Sequence, residues 1–408
     1  HIIKIDACLC VSCVYTNVMR KQGALQITKI QMKKEILFTG LLIITTLLSG
    51  QSDFSTIDEN SKNVSDSFIG YTEIADHLTN GLTTDIEKAR AIYIWIAHNI
   101  KYELTQIDIV NRYDSKQDII DEVIKDRKGV CQHYSELFLA MSKSAGLNSY
   151  LISGYTRDVF GEIAGLSHAW NGIKIDSNYY LIDLTWAAGY EFKGKYVHKF
   201  RDDYFLKSPQ TFIKDHIPFD PIWQFLDNPI KNKDFISKDF SKVEIVGDFA
   251  YKDSIKQFER FDELTQLENS NRRIIENGIE NQLIQKQIDE NILQITNRKY
   301  NLAIDTLNYG IDSYNLYVTH KNRQFKNPKL EDSRVKELID NADYGVYAAN
   351  EIFYGLFSSN NDLNKLIIES RNGMLDLITD LEREKDFTNK YLKKWKPLRI
   401  FMFLTYRH

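Results

Sequence analysis

Cysteine is scarce in this sequence and unevenly placed. Of the 4 cysteines in 408 residues, Cys8, Cys10 and Cys13 lie close to the N-terminus, so Cys131 is the only thiol in the rest of the chain. A chain with one thiol cannot form an internal disulfide. A cysteine with a purely structural role behaves as a small apolar residue. The isolated thiol is therefore a candidate for chemistry, and its surroundings decide between the two interpretations.

Proline and an excess of positive charge are also lacking. The 6 prolines leave room for long uninterrupted helices, and the formal net charge of −4 provides no basic surface for nucleic acid. Nucleic-acid binding is therefore not expected. The length of 408 residues and the hydrophobic content of 43% indicate a globular chain of two or three domains with a sizeable core.

The apolar run near the N-terminus is too short to span a membrane. Residues 36–48 follow Met32 and two lysines and precede the small-residue stretch 49–52, and a span needs ~20 residues. This order predicts a secretory signal peptide over 32–52, with an uncleaved anchor as the alternative. Cleavage would leave an exported protein, periplasmic or secreted, without an integral membrane segment. Residues 1–31 are predicted to be an untranslated or non-structural upstream extension.

Helical patterns come first along the chain, and strand patterns follow. After a polar, serine-rich entry at 53–70 that is predicted to be flexible, helices are predicted for TTDIEKARAIYIWIAHNI, SKQDIIDEVIKD and CQHYSELFLAMSKSAGL. Asp85 is the expected cap of the first, and Gly146 the expected stop of the third. The short segments NSYLISGYT, LSHAWNGIKI and YYLIDLTW predict the strands of an antiparallel sheet. This order indicates the α+β class.

A proline-rich segment divides the chain. Four of the 6 prolines lie in 209–229, which predicts an extended, turn-rich boundary. Beyond it, apolar residues recur three or four apart, which predicts three or four long amphipathic helices in a bundle or hairpin array. A continuous coiled coil is the alternative. The predicted division is an α+β domain over 71–235 and an all-α domain over 236–408, which we expect to bind a protein partner or cover a cleft.

Cys131 lies at the predicted start of a helix. The positive end of a helix dipole favours a thiolate, Gly129 lets the backbone turn sharply into the helix, and the first backbone N–H groups could hold an oxyanion. A cysteine nucleophile also needs a base and a group that orients the base. The alternative for Cys131 is a small core residue in a packed helix.

His168 and Asp183 are the candidates for that base and that orienting carboxylate. His168 is the only histidine on a predicted strand of the sheet, and Asp183 follows it across a short turn, in an order that suits a catalytic triad. Direct opposition would need a turn centred between Ile175 and Asp176. The turn residues centre on Ser177, so a bulge or diagonal contact must absorb about three residues. A satisfied strand histidine and a turn-capping aspartate are the alternatives.

Two tryptophans and a second histidine lie near these candidates in sequence. Trp170 and Trp186 are predicted to pack around a cleft and shape it. His133 stands two residues after Cys131 and could form a Cys-x-His metal pair. One cysteine and no second ligand cluster argue against a zinc site. Neither a metal nor a cofactor is expected.

Two stretches together resemble the transglutaminase-like superfamily. They are KGVCQHYSELFLAMSKSAGL, with a Gly-x-Cys helix start, and SHAWNGIKIDSNYYLIDLTWAAGY, with a His-Ala-Trp strand and an Asp-x-Thr-Trp strand. The likeness covers residues 70–235 approximately. It points to the compact, papain-like branch that includes the kyphoscoliosis peptidase group and related bacterial secreted proteins.

The resemblance implies a papain-like core and a reaction at amide bonds of a protein or peptide substrate. That reaction would be isopeptide cross-linking, deamidation or peptide hydrolysis through a thioester. Cys131 would be the nucleophile, His168 the base and Asp183 the orienting carboxylate, with Tyr102 near the oxyanion. No calcium site is expected, since the sequence has no EF-hand-like loop. The alternative class is a binding or scaffolding protein that retains the fold without turnover.

Overall fold

The structure is a computed structural model, and it describes residues 54–64, 70–104, 115–240 and 250–405. The predicted upstream extension and signal peptide lie outside these residues. The described residues fall into two compact units, one ending at Asn63 and one following it. The first contains helix α1, Ser55–Lys62, within the segment predicted to be flexible. Within this helix the buried Ser61 Oγ donates to Ile57 O over 2.7 Å, so its hydroxyl is satisfied locally.

The second unit begins with short helices and strands and ends with long helices. Up to residue 240 its helices are α2 Tyr71–Thr79, α3 Asp85–Asn99, α4 Lys116–Asp126, α5 Cys131–Ser144, α6 Leu184–Ala188, α7 Pro209–Phe212 and α8 Asn232–Ser237. Its strands are β1 Lys101–Tyr102, β2 Lys128–Gly129, β3 Asn148–Thr156, β4 His168–Ile175, β5 Asn178–Ile182, β6 Gly189–Phe192, β7 Lys195–His198 and β8 His216–Pro218. From residue 250 the helices are α9 Tyr251–Arg260, α10 Glu263–Asn277, α11 Gln282–Asn322, α12 Asp332–Phe353, α13 Asn361–Lys393 and α14 Met402–Thr405.

Helix α3 is the buried centre of the N-terminal half. Every residue from Ala89 to Ala97 is buried. The N-cap is Thr84 and not Asp85, so the helix begins one residue earlier than expected. Its hydroxyl accepts from the Glu87 N–H over 3.2 Å, and the Glu87 carboxylate accepts from the Thr84 N–H over 3.0 Å. Two reciprocal bonds satisfy donors that a lone Asp85 would leave open.

A four-stranded sheet in the order β5-β4-β3-β8 lies beside helix α5. All three pairings in this sheet are antiparallel. Gly154 of β3 lies opposite both His168 of β4 and Pro218 of β8. The buried amide of Asn171 fixes α5 on this sheet, because its Nδ2 donates to Ser135 O over 3.0 Å. This bond holds helix α5 against the sheet. A helix packed on an antiparallel sheet agrees with the predicted α+β class.

The segment YYLIDLTW is a strand only in its first part. Strand β5 ends at Ile182, and α6 begins at Leu184. Asp183 causes the change, because its Oδ1 accepts from the Trp186 N–H over 3.0 Å and caps the new helix. The predicted strand therefore continues as a short helix.

The C-terminal region is helical, as predicted. Helices α11, α12 and α13 pack around a core that includes Tyr317, Leu338 and Phe387. A second core runs across the predicted boundary at residue 235, since Tyr155 of β3 packs with Ile274 of α10. Across the described ranges, no helix combines the length and the apolar character needed to cross a membrane.

Candidate active site

Cys131 is the first residue of helix α5 and is partly exposed. The residue before it, Val130, offers no side-chain acceptor to the helix N-terminus. The N–H groups of the first turn have no acceptor within a helix, so those of Cys131 and Gln132 are candidate donors at this end of the helix. Gly129 is required here, because a Cβ atom at this position would lie 2.5 Å from His133 Cβ.

His133 stabilises the turn that leads into helix α5. It is buried, and its Nδ1 accepts from the Val130 N–H over 3.2 Å. That nitrogen is therefore engaged in holding the turn that precedes Cys131. This contact gives the Cys-x-His spacing a structural role.

Tyr102 reaches the site through a short parallel pairing of β1 with β2. Tyr102 lies opposite Gly129, and the Glu103 N–H donates to Gly129 O over 3.0 Å. Burial raises the pKa of Tyr102 well above its usual value, and the nearby charges of Cys131 and Asp183 raise it further. The phenol therefore keeps its proton near the thiol and can act as a hydrogen-bond donor.

His168 and Asp183 meet diagonally across β4 and β5. Asn171 pairs with Ile182, so the next pair along the ladder would be Trp170 with Asp183. Trp170 and His168 are two residues apart and share one face of β4, so Asp183 is the diagonal neighbour of His168. The Nε2 atom of His168 lies 2.8 Å from Asp183 Oδ2. The predicted diagonal contact is therefore formed, with an offset of two residues rather than three.

The offset is smaller because the turn falls earlier than expected. Ile175 pairs with Asn178, so the turn consists of Asp176 and Ser177. Asp176 adopts a φ of 54°, a left-handed conformation that aspartate tolerates better than most residues.

Charge holds the histidine and the aspartate together. Burial disfavours the charged form of His168, but the Asp183 carboxylate and the interaction of the protonated imidazole with Cys131 outweigh it and raise the pKa of His168 to about 10. Burial likewise opposes ionisation of Asp183, and the charges and hydrogen bonds of His168 and His216 overcome it, so the pKa of Asp183 is lowered. Since Nε2 of His168 faces Asp183, Nδ1 is the ring nitrogen left for Cys131.

His216 is a member of the cluster that sequence reasoning missed. It is fully buried at the start of β8, so His168 is not the only histidine on a strand of this sheet. Its Nε2 lies 3.0 Å from Asp183 Oδ2, and its Nδ1 lies 2.6 Å from Asp215 Oδ1. Ligand atoms of His168, Asp183 and His216 lie within 4.8 Å of one another, a set that could also hold a metal ion.

Both tryptophans pack on these histidines. The Trp170 ring is buried, with its centroid 6.0 Å from His168 and 5.3 Å from His216. The Trp186 ring lies 5.9 Å from His168 and 4.5 Å from His216. The two indole rings therefore pack on both histidines of the cluster.

Known proteins are similar to this chain over the same region. The family model of the transglutaminase-like superfamily matches residues 72–184. Kyphoscoliosis peptidase of Homo sapiens is 31% identical over 183 residues, which are 43% of this chain and 27% of that protein. Lim and transglutaminase domain protein ltd-1 of Caenorhabditis elegans is 26% identical over 197 residues, which are 43% of this chain and 26% of that protein.

A solved structure of a TGase covers 41% of this chain and 41% of its own, at 17% sequence identity and a TM-score of 0.23. This chain spans only about a quarter of the length of the curated relatives described above. The region that the family model matches contains Cys131, His168 and Asp183. Through residues 72–184, this chain carries a domain of the transglutaminase-like superfamily.

Proposed function

We propose that this protein is a cysteine-dependent enzyme that acts on amide bonds of protein or peptide substrates. One observation carries the proposal: the Nε2 atom of His168 lies 2.8 Å from the buried Asp183 carboxylate, and Cys131 is near enough to raise the pKa of the same imidazole. A base that is oriented by a carboxylate and contacts a thiol is the arrangement that activates a nucleophile.

The first half of the reaction would form a thioester. The Cys131 thiolate attacks the carbonyl carbon of the amide, and the carbonyl oxygen becomes an oxyanion. The N–H groups of Cys131 and Gln132, with the Tyr102 hydroxyl, would be the donors that stabilise that charge. The C–N bond then breaks, and His168 gives its proton to the leaving amine.

The second half would resolve the thioester. Water or an acceptor amine attacks the thioester carbon while His168 removes its proton, and the C–S bond breaks to restore the Cys131 thiolate. Water yields an acid, and an amine yields a new amide. Asp183 stabilises the imidazolium in both halves and keeps its Nε2–H directed away from the thiol.

We further propose that the protein works outside the cytoplasm. The support is the sequence of residues 32–52, with two lysines, a short apolar run and small residues at its end. Peptide sequencing of the N-terminus of the protein secreted by its native host would test this. A mature terminus near residue 53 is expected, and an intact N-terminus in the cytoplasmic fraction would contradict export.

Thiol reactivity tests the catalytic proposal without knowledge of the substrate. The rate at which iodoacetamide alkylates Cys131 would be measured against pH for wild type, His168→Ala and His77→Ala, the last an exposed histidine on α2. We expect wild type and His77→Ala to react rapidly below pH 7, and His168→Ala to react only near the pH of about 8.5 typical of a free thiol. Identical profiles for all three would mean that no thiolate–imidazolium pair forms.

Turnover would then be assayed on β-casein with a biotin-labelled amine as acceptor, against Cys131→Ala. New N-termini indicate hydrolysis, released ammonia without label indicates deamidation, and incorporated biotin indicates transfer. Any of these products in wild type alone supports the proposal. A reactive Cys131 with no product from a broad range of proteins would favour the scaffold alternative.

A further inference from the structure

Four large apolar side chains are exposed along the last described turns of the chain. They are Trp395, Leu398, Phe401 and Leu404, with exposed fractions of 71%, 42%, 55% and 64%. The 3₁₀-helix Lys396–Phe401 joins directly to α14. Leu398 and Phe401 are three apart within the 3₁₀-helix and so lie above one another, and Trp395 and Leu404 continue the spacing of three at its two ends. We call these four residues the apolar stripe.

The apolar stripe is exposed although its backbone is firmly anchored. Arg399, on the opposite face, is buried and binds the Asp332 carboxylate through two bonds of 2.6 and 3.1 Å. The same guanidinium donates to Leu392 O over 3.0 Å. Met402 is buried in the core of the helical region, and Phe403 packs against that core. The stripe is therefore a preformed surface, because the residues between its members hold it in place.

The chain segment that carries the stripe has charges of one sign. Residues 387–408 contain six of the 52 lysines and arginines of the chain and none of its 56 acidic residues. Arg399 and Lys390 are paired within the fold. Lys393, Lys394 and Lys396 are exposed beside Trp395. A chain with a net charge of −4 thus concentrates positive charge at this anchored apolar face.

A neighbouring loop extends this basic surface. An open cavity of about 470 Å³ lies beside the 3₁₀-helix, and its lining includes Lys326, Lys329 and Lys396 together with Glu331 and Asp332. Glu331 is paired with Lys329 over 3.0 Å, and Asp332 is paired with Arg399. Lys326 is exposed and adds one further cation on this side of the 3₁₀-helix.

We propose that the apolar stripe docks this protein on the surface of an anionic lipid bilayer. Trp, Leu and Phe on one face with lysines beside them are the composition of segments that lie in the plane of a membrane interface. Indole rings favour the headgroup level, and lysines near the surface are attracted by anionic lipids. A protein partner with an apolar patch would not by itself require the exposed Lys393, Lys394 and Lys396 beside it. Binding would place the cysteine site near membrane-associated substrates without a spanning helix.

Vesicle sedimentation tests this proposal. Residues 53–408, which contain the whole compact second unit and omit the apolar run 36–48, would be mixed with vesicles of phosphatidylcholine alone or with phosphatidylglycerol. We expect binding to the anionic vesicles that falls with added salt, and at least a tenfold weaker affinity for Trp395→Ser/Phe401→Ser. The triple change of Lys393, Lys394 and Lys396 to Glu should abolish the preference for anionic lipid.

The matched control is Tyr354→Ser/Phe357→Ser, which removes two equally exposed aromatic residues outside the stripe. It should bind as wild type does. Equal binding of the stripe variant and this control, or no binding of wild type to anionic vesicles, would overturn the proposal. Sedimentation equilibrium without lipid provides a further test: self-association that the stripe variant alone loses would assign the stripe to a second copy of this chain and also overturn it.

Discussion

The Nε2 atom of His216 lies 3.0 Å from Oδ2 of Asp183, the same oxygen that accepts from His168 over 2.8 Å. A carboxylate can only accept, so both histidines donate to this oxygen. The other ring nitrogen of His216 lies 2.6 Å from Asp215. Asp183 is thus fixed from three directions, by two imidazoles and by the backbone of α6. The orientation of His168 depends in turn on that fixed carboxylate.

His216→Phe should slow the chemistry of Cys131 while the fold is kept. Phenylalanine preserves the packing on Phe212 and Trp186, whose rings lie 4.1 and 4.5 Å away, but donates no hydrogen bond. A misdirected Asp183 would misplace His168, so we expect kcat on β-casein to fall on the order of 100-fold with little change in KM. The loss of two buried bonds should lower the free energy of unfolding by about 1–3 kcal/mol.

The matched control is His198→Phe, on strand β7, whose Nε2 lies 3.1 Å from Ala97 O and whose ring packs against His98 and Tyr196. It should leave kcat and the pH profile of Cys131 alkylation unchanged. If His216→Phe retained wild-type kcat, the second imidazole would have only a packing role.

The local parts of this site could be predicted from sequence. Gly129 and the helical period that follows it place Cys131 at a helix start, and the alternation around His168 places it on a strand. Each of these signals lies within a few residues of the group it positions. The α+β class and the helical C-terminal region were predicted for the same reason and are confirmed.

The parts that depend on distant contacts could not be predicted. Asp183 caps a helix and binds two histidines at once. The capping interaction ends strand β5 before the point that the apolar pattern predicts. His216 contacts Asp183 across 33 residues of chain and stands on a strand of three residues. Three residues are too few to show alternation, so nothing in the local pattern marked this histidine.

Stability should depend on pH through His168. A histidine whose pKa is raised from 6.5 to about 10 on folding contributes stability that is complete below pH 6.5 and is lost as the pH rises towards 10. The lowered pKa of Asp183 adds stability above pH 3.8 that is lost as the pH falls further. His168→Asn keeps a donor for Asp183 but carries no charge. We expect its melting temperature to lie at least about 2 °C below wild type from pH 4 to 6.5, with a difference that shrinks above pH 8.

Thermal melts of the two proteins in a series of buffers would measure this difference. Exposed His77→Asn is the control and should track wild type throughout. A gap that widened above pH 7 would mean that His168 is neutral in the folded protein.

Tyr102→Phe removes one hydroxyl beside Cys131 and keeps the ring. If that hydroxyl donates to the oxyanion, kcat on β-casein should fall about 100-fold. Alkylation of Cys131 by iodoacetamide forms no oxyanion and should keep its rate. Tyr190→Phe, on strand β6 with a partly exposed ring, is the control for loss of a phenol. Equal kcat for the two variants would assign Tyr102 to packing alone.

Two glycines set the distance between the long helices α11 and α12. A Cβ on Gly345 would lie 2.6 Å from Gly310 Cα, so the helices touch backbone to backbone. Gly345→Ala must force them apart and should lower the free energy of unfolding by about 1–3 kcal/mol. Gly373→Ala, on an exposed site of α13 with no atom within 4 Å of a new Cβ, should raise it by about 0.5–1 kcal/mol through helix propensity. Urea unfolding would measure both, and destabilisation of equal size would contradict the close crossing, because only Gly345 has a neighbour to displace.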